Sequence, residues 1–270
     1  MQKKKIAIIG CGAIGSAIAM WISEKASESV SAIALYDTDG EKLKQLESKV
    51  ALAEAALSPK DAVMRSDILI EAANPMTASE VLTLAIDNKK DVMILSIGGL
   101  ADKTELLGEA SKTGITVILP SGAVAGIDAV KAANIAGIDS ITLTTRKSPA
   151  SLKGAPYLEK NGIDVDAIKK ETVIFEGSAS EAVKGFPKNI NVSALLSLAG
   201  VGFEKTKVRI ISSPEYNKNI HEICVESKAG KFTFRTENVP FPSNPKTSYL
   251  AALSAMAALG EYLSSIRVGT

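Results

Sequence analysis

The chain has 270 residues and a mass of 28.2 kDa, too long for one average domain and too short for three, so two compact units are expected. Hydrophobic residues at 46% and charged residues at 23% match ordinary globular usage and exclude a disordered, collagenous or coiled-coil chain. Lysine plus arginine number 31 against 30 aspartate plus glutamate, a formal charge of +1, which excludes the broad basic footprint of a nucleic-acid or anionic-membrane binder.

Two cysteines, Cys11 and Cys224, and the single histidine His221 cannot build a disulfide framework or a Cys/His zinc site, so a reduced cytoplasmic protein without a metal is expected. The N-terminus is basic, but the apolar run behind it is too short for a signal peptide. No stretch reaches the roughly 18 to 20 apolar residues of a membrane span.

In chain order, residues 6–9 form a short apolar strand, followed by the glycine turn Gly10-Cys11-Gly12-Ala13-Ile14-Gly15 and a helix with apolar residues at Ile18, Ala19 and Ile22. A strand at 31–36 ends at Asp37, and residues 41–57 have helical composition without glycine or proline. A third strand at 68–70 runs into Glu71-Ala72-Ala73-Asn74-Pro75, whose proline stops it. A helix to about 88, a strand at 92–95, the loop Ser96-Ile97-Gly98-Gly99, another helix and a strand at 115–119 follow. This alternation with near-continuous apolar strands predicts an α/β fold, a Rossmann-type doubly wound parallel sheet covered on both faces.

Beyond Pro120-Ser121-Gly122 the rhythm changes. Residues 140–146 set Ile141, Leu143 and Thr145 against Thr142, Thr144 and Arg146, a strand with one wet face. Residues 147–170 read as loop with one short helix, and 173–175 as a strand. A helix starts behind Gly177-Ser178 with a serine cap, and a second spans 191–199. Residues 207–212, 220–226 and 231–235 read as antiparallel strands, the last two joined at Ala229-Gly230. Asn244-Pro245-Lys246-Thr247-Ser248-Tyr249 opens a long alanine-rich helix. The expected division is a dinucleotide-binding domain over 1–125 and a catalytic and dimerisation domain over 126–244, α+β on a mixed or antiparallel sheet, with the closing helix at about 245–266 packing back on the first.

The glycine motif assigns a task to each glycine: a tight turn at Gly10, backbone approach to a pyrophosphate at Gly12, and close helix-to-strand packing at Gly15. Ala13 and Ile14 complete the loop, whose helix N-terminus offers unpaired N–H groups to phosphate. Asp37, 22 residues after Gly15 at the end of the next strand, can accept from both ribose hydroxyls and repels a 2′-phosphate, which favours NAD over NADP. Lys42 and Lys44 nearby keep NADP open. Ala72, Ala73, Ser96 and Gly98, in the loops after later strands, complete the candidate cofactor set.

Alternation places His221 with Ile223 and Val225, on the apolar side of its strand. It is either a core imidazole or a general acid/base, whose ordinary pKa near ~6.5 suits proton transfer at neutral pH. Phe186-Pro187-Lys188-Asn189-Ile190-Asn191 brings Lys188, Asn189 and Asn191 to a helix start, either to meet an anion or the nicotinamide amide or as ordinary caps. Thr144-Thr145-Arg146-Lys147 could bind a substrate carboxylate, with Arg146 offering a bidentate fork, although Lys147 reads more readily as a solvated strand end. Lys246 and Thr247 sit in the first turn of the last helix, as cap or anion contact.

The glycine loop together with Ser121-Gly122-Ala123, Phe175-Glu176-Gly177-Ser178-Ala179, Pro187-Lys188-Asn189-Ile190-Asn191-Val192, Asn219-Ile220-His221-Glu222 and Asn244-Pro245-Lys246-Thr247-Ser248-Tyr249 resembles the L-aspartate dehydrogenase family over nearly the whole chain. The resemblance implies NAD(P)-dependent oxidation of L-aspartate to iminoaspartate, which feeds quinolinate and hence NAD synthesis, or hydrolyses to oxaloacetate and ammonia. It implies His221 as the catalytic residue, acting on the amine proton or on a water, with Ala123 and Asn189 at the nicotinamide end. The family's Ser-Gly-Ala-Ile-Gly-Gly stands here as Ser121-Gly122-Ala123-Val124-Ala125-Gly126, so a positive φ at position 125 would be strained. A homodimer is expected from the open second sheet. A dihydrodipicolinate reductase-like, homoserine or semialdehyde dehydrogenase, or a non-enzymatic NAD-sensing module, are the competing readings. A phosphorylating aldehyde dehydrogenase would need a nucleophilic cysteine, which neither Cys11 in the loop nor Cys224 opposite His221's face supplies.

Overall fold

The computed structural model of the chain describes residues 3–187, 190–242 and 244–269, with backbone only at Pro245 and Lys246. Two compact units emerge, one of Met1–Pro120 with Ala252–Arg267 and one of Ser121–Ala251 with Val268–Thr270.

In the first unit the strands are β1 (Lys4–Ile9), β2 (Val30–Tyr36), β3 (Ala53–Ala55), β4 (Ile68–Glu71), β5 (Asp91–Ile94) and β6 (Val117–Ile118). They form a parallel sheet in the order β3-β2-β1-β4-β5-β6. The helices are α1 (Ala13–Lys25), α2 (Gly40–Glu47), α3 (Pro59–Met64), α4 (Pro75–Asp87) and α5 (Glu105–Thr113).

Near-continuous apolar strands need cover on both sides, and the core has two parts. Ile6, Ile8, Ile33, Leu35, Ile68, Ile70 and Met93 pack with Ile18, Ala19 and Ile22 of α1 and with Ala255 and Leu259. On the other side Ala7, Ile9, Leu69, Val92 and Ile94 pack with Ala78, Val81, Leu82 and Ala85 of α4 and with Ala110 of α5. Strand order reverses on either side of β1, and the carboxyl ends of β1 and β4 therefore form the crevice where open α/β sheets bind ligands.

The stretch 41–57 is not one helix. α2 stops at Glu47, and its carboxylate accepts a hydrogen bond from the Ala55 N–H at 2.7 Å. Ala53, Glu54 and Ala55 then pair with Ile33, Ala34 and Leu35 as β3. A vacant sheet edge outweighs alanine's helix preference here. α3 has a local signal that the sequence reading passed over, Ser58 capping the Asp61 N–H with Pro59 at the first helical position.

The second unit holds α6 (Ile127–Ala136), β7 (Ile138–Lys147), α7 (Pro156–Lys160), β8 (Thr172–Ser178), α8 (Ala179–Gly185), α9 (Asn191–Ala199), β9 (Thr206–Ser212), β10 (Asn219–Ser227), β11 (Gly230–Asn238), β12 (Pro240–Phe241) and β13 (Asn244–Ser248). Its main sheet runs β11-β10-β7-β9-β8. β7 and β9 are parallel and the other pairs antiparallel, so the expectation of a purely antiparallel 207–212 strand is corrected on its β7 side. Ser178 forms a full capping box with Glu181 at the start of α8.

The segment expected to open the last helix is instead β13, paired with β12 through Pro240 opposite Ser248 and Phe241 opposite Asn244. Proline suits an edge strand as well as a first helical turn, and pairing with Pro240-Phe241 decides between them. Helix α10 (Tyr249–Leu263) begins one residue later, with the Tyr249 ring edge-on to Phe241 at 5.5 Å.

Ala125 is not strained. Among the described non-glycine residues only Lys89 has positive φ, whereas Gly122 and Gly126 lie at +65° and +84°. Gly126 also has no room for a side chain, since a Cβ there would fall 2.3 Å from the Phe234 ring.

Leu259, fully buried against the first sheet, gives a direct test of the α10 packing. Leu259→Ala should lower unfolding free energy by about 2–5 kcal/mol in chemical denaturation, and a loss within experimental error would show that α10 is not part of this core.

Candidate active site

In the first unit the candidate residues gather at the carboxyl ends of β1, β2, β4 and β5. Gly10 has φ +106°, and a Cβ on it would sit 2.6 Å from the Ala72 carbonyl oxygen and 2.7 Å from the Ala73 nitrogen. A Cβ on Gly15 would lie 1.9 Å from the Gly10 oxygen. These two glycines are demanded by the fold itself. Gly12 is different: no atom lies within 4 Å of its would-be Cβ, and it precedes α1 without any side-chain cap. Open space in front of the uncapped N–H groups of a 13-residue helix fits an incoming pyrophosphate, with Ala13 and Ile14 in the first turn.

Asp37 does more than the sequence reading gave it. Its Oδ2 accepts from the Cys11 N–H at 2.6 Å and its Oδ1 from the Asp39 N–H at 2.8 Å, fastening the glycine loop to the end of β2. Each carboxylate oxygen keeps a further acceptor site. Burial, and then the Asp37 charge, push the Cys11 thiol up to about 12, so it stays protonated.

Glu71 was missed as a site residue. Completely buried at the end of β4, it accepts from the Ala73 and Asn74 N–H groups at 2.9 and 3.1 Å and from the Ser96 N–H and hydroxyl at 2.8 and 3.0 Å. Burial raises its pKa against the pull of these four donors. Ser96 thus braces the crevice through Glu71, and the neighbouring Gly98 is buried in a short 3-10 turn, Ile97–Leu100. A carboxylate ending an otherwise apolar strand was the available signal. Ala72, through its own N–H, continues the sheet to the Ile9 carbonyl at 2.8 Å.

In the second unit β10 sets His221 opposite Thr145 of β7 and Thr236 of β11. The imidazole is only 5% exposed, on the face shared with buried Ile223 and Val225, and its Nδ1 lies 3.0 Å from the Thr145 hydroxyl. Burial, reinforced by the positive charge of Lys147, pushes its pKa down to about 3. Lys147 is not a solvated strand end. It is 8% exposed, two residues past Thr145 on the same face, and burial brings its ammonium down to about 8. The Ala123 carbonyl accepts from the Thr236 hydroxyl and the Asn238 amide, both at 3.0 Å. The same amide reaches the Asn219 carbonyl at 3.4 Å. Ala123 and His221 are therefore brought into one neighbourhood, with Asn238 and Thr236 as ties the sequence reading did not name.

Other candidates do not join it. Arg146 alternates to the opposite face and pairs with Glu222 at 3.7 Å. Asn191 is exposed in the first position of α9, whose cap position is Ile190 rather than an asparagine. Thr247 lies in β13, not in a helix, and its hydroxyl accepts from the Asn244 amide at 3.2 Å. Lys188 and Asn189 lie outside the described residues, as does the Lys246 side chain. A cavity of about 630 Å³ opens within this unit beside Lys147, Ser151, Phe186, Lys218 and Asn219.

A parallel sheet with a glycine loop at its switch point, joined to a mixed-sheet unit that buries an imidazole, defines a pyridine-nucleotide-dependent oxidoreductase. The family model for the homoserine dehydrogenase NAD-binding domain matches residues 10–120, and that for the aspartate dehydrogenase C-terminal domain matches 128–262. The chain is 46% identical to the L-aspartate dehydrogenase of Methanococcoides burtonii, over 98% of this chain and 99% of that protein. The crystal structure of aspartate dehydrogenase from Thermotoga maritima superposes with a TM-score of 0.76 at 27% identity, covering 99% of this chain and 100% of the other. A homoserine dehydrogenase from Thiobacillus denitrificans, at TM-score 0.62 and 15% identity over 97% and 74% of the two chains, shares the fold. The chain belongs to the L-aspartate dehydrogenase family.

Gly12→Val should abolish dinucleotide binding by calorimetry with little change in thermal stability, because the branched side chain meets only the space a ligand needs; retained binding would remove the loop from the site. For His221 the unfolded chain takes up a proton as pH falls through about 6.5 and the folded chain only near 3. Its contribution is therefore complete above pH 6.5 and is lost on acidification. From pH 7 to 4.5 the wild type should lose about 2–3 kcal/mol more unfolding free energy than His221→Gln; parallel pH profiles would contradict a buried neutral imidazole.

Proposed function

We propose that this chain uses a pyridine nucleotide to oxidise L-aspartate to iminoaspartate, which either supplies quinolinate synthesis or hydrolyses to oxaloacetate and ammonia. The observation that carries the reading is the buried His221 paired to Thr145, in the unit whose sequence matches the aspartate dehydrogenase C-terminal domain. A module that only sensed the nucleotide would need no more than the first unit.

A pyridine nucleotide held here would supply the acceptor for a hydride from the aspartate Cα. Gly12 and the N-terminus of α1 would receive the pyrophosphate, with Gly10 and Gly15 holding the loop in shape. Asp37 would accept from the ribose hydroxyls through its remaining acceptor sites, which would favour NAD over NADP. Lys42, which could have favoured a 2′-phosphate, is already paired with Asp39 at 2.9 Å. Glu71 stiffens the floor formed by Ala72, Ala73, Ser96 and Gly98, and Ala123 and Asn189 serve the nicotinamide end.

His221 enters the reaction neutral. With Thr145 accepting from Nδ1–H, the Nε2 lone pair is directed to receive a proton from the substrate amine or from the water that attacks the imine. Lys188 and Lys246 remain candidate substrate contacts, and Asn191, exposed at the start of α9, and Thr247, bonded to Asn244 in β13, are weaker ones. Arg146, on the opposite face and paired with Glu222, is a weaker one than the sequence alone implied.

We expect a homodimer. Helices α8 and α9 cover the face of the second sheet that bears Leu143, Thr145, Val208 and Ile210, which leaves the face of Arg146, Glu222 and Arg235 for a second copy. The two free cysteines suit a reducing cytoplasm. Among the described residues no helix is long and apolar enough to cross a membrane.

Two variants test the assignment. Asp37→Ala should raise the NADP to NAD ratio of kcat/KM, by loss of both the ribose hydrogen bonds and the repulsion of a 2′-phosphate; a flat ratio would mean that another residue reads the ribose. His221→Ala should lower kcat for aspartate by about 10²- to 10⁴-fold while nucleotide affinity holds. A folded variant with wild-type kcat would make the imidazole structural.

A further inference from the structure

We propose that Lys147 recognises a carboxylate of the substrate and so sets the preference for a dicarboxylic amino acid. The proposal rests on the aspartate reading above and names the group that would enforce it.

Three observations converge on this lysine. Its position on β7, two residues beyond Thr145, turns it to the face that carries His221. It is almost wholly buried, where the attraction between an ammonium and a carboxylate is screened far less than at the surface. It also lines the cavity of about 630 Å³ in the second unit, a volume that suits a small ligand.

The cavity wall has a matching chemistry. Among its described lining residues are three lysines, Lys147, Lys153 and Lys218, with Ser151, Asn217 and Asn219 as further hydrogen-bonding groups and no aspartate or glutamate. Lys153, which pairs with Asp166 at 2.8 Å, and Lys218 are both exposed. Lys147 is thus the buried cation of the set. The side chain of a monocarboxylic amino acid would gain nothing from it, whereas a second carboxylate would form a charge-assisted hydrogen bond away from water. The same pairing bears on catalysis, because the charge that opposes a proton on His221 is Lys147's own. A carboxylate bound there offsets that charge when the imidazole must accept a proton.

The test separates recognition from chemistry by using succinate, a dicarboxylate without an amine, and butyrate, a monocarboxylate of the same carbon number, in calorimetry on the NAD-loaded protein. Wild type should prefer succinate. Lys147→Gln should weaken succinate binding by about 30-fold or more and leave butyrate unchanged, with Lys147→Arg restoring part of the preference. In aspartate kinetics the Gln variant should act mainly on KM. Unchanged succinate affinity in the Gln variant would overturn the proposal. So would a loss confined to kcat, which would make Lys147 a proton carrier, or an equal loss for both acids with a lowered melting temperature, which would make it structural. If wild type is inactive on aspartate yet keeps a Lys147-dependent preference for succinate, the activity reading fails and the carboxylate site stands.

Discussion

A neutral imidazole and an ammonium are buried on one face of a five-stranded sheet, and the rest of the second unit is arranged around the cost of keeping them there. Water would hold His221 near its ordinary pKa. The apolar face of β10, with Ile223 and Val225 beside it, removes that water, and the Lys147 charge adds to the effect. One hydrogen bond to Thr145 fixes the ring where an unpaired buried nitrogen would be penalised. The Thr236 and Asn238 side chains then tie the Ala123 carbonyl to the same strands, so a loop far away in sequence takes its position from the sheet that orients the imidazole.

The first unit meets a different constraint, the close approach of one stretch of backbone to another. Glycine is required where the chain would otherwise collide with itself, at Gly10 and Gly15, and at Gly12 it leaves open space in front of α1. Around them two carboxylates work as internal clamps. Asp37 joins the loop to β2, and Glu71 joins the ends of β4 and β5 through four donated hydrogen bonds. Positioning by backbone N–H groups is stiff, because a backbone donor has no side-chain rotamers to lose.

These two kinds of construction differ in how far a sequence displays them. The glycine loop, its strand and its helix are consecutive, so their spacing is readable from residues 10 to 37 alone, and the strand alternation that turns His221 inward is equally local. The Thr145 to His221 contact joins residues 76 apart and depends on the register of β7 against β10, which no local pattern announces. Lys147 misleads for the same reason: a lysine at a strand end reads as solvated until the neighbouring elements are in place. Residues 53–55 and 244–248 failed in the opposite direction, since alanine-rich or proline-led helical signals gave way to an available strand partner.

Because His221 is the chain's one histidine, its ring nitrogens can be followed without assignment by ¹⁵N nuclear magnetic resonance as pH is lowered from 7 to 5. A single neutral tautomer is expected across that range, protonated on Nδ1 toward Thr145, with no sigmoidal shift. A titration centred near the ordinary histidine value of about 6.5 would show a solvated imidazole and contradict the buried site from which the proposed chemistry is derived.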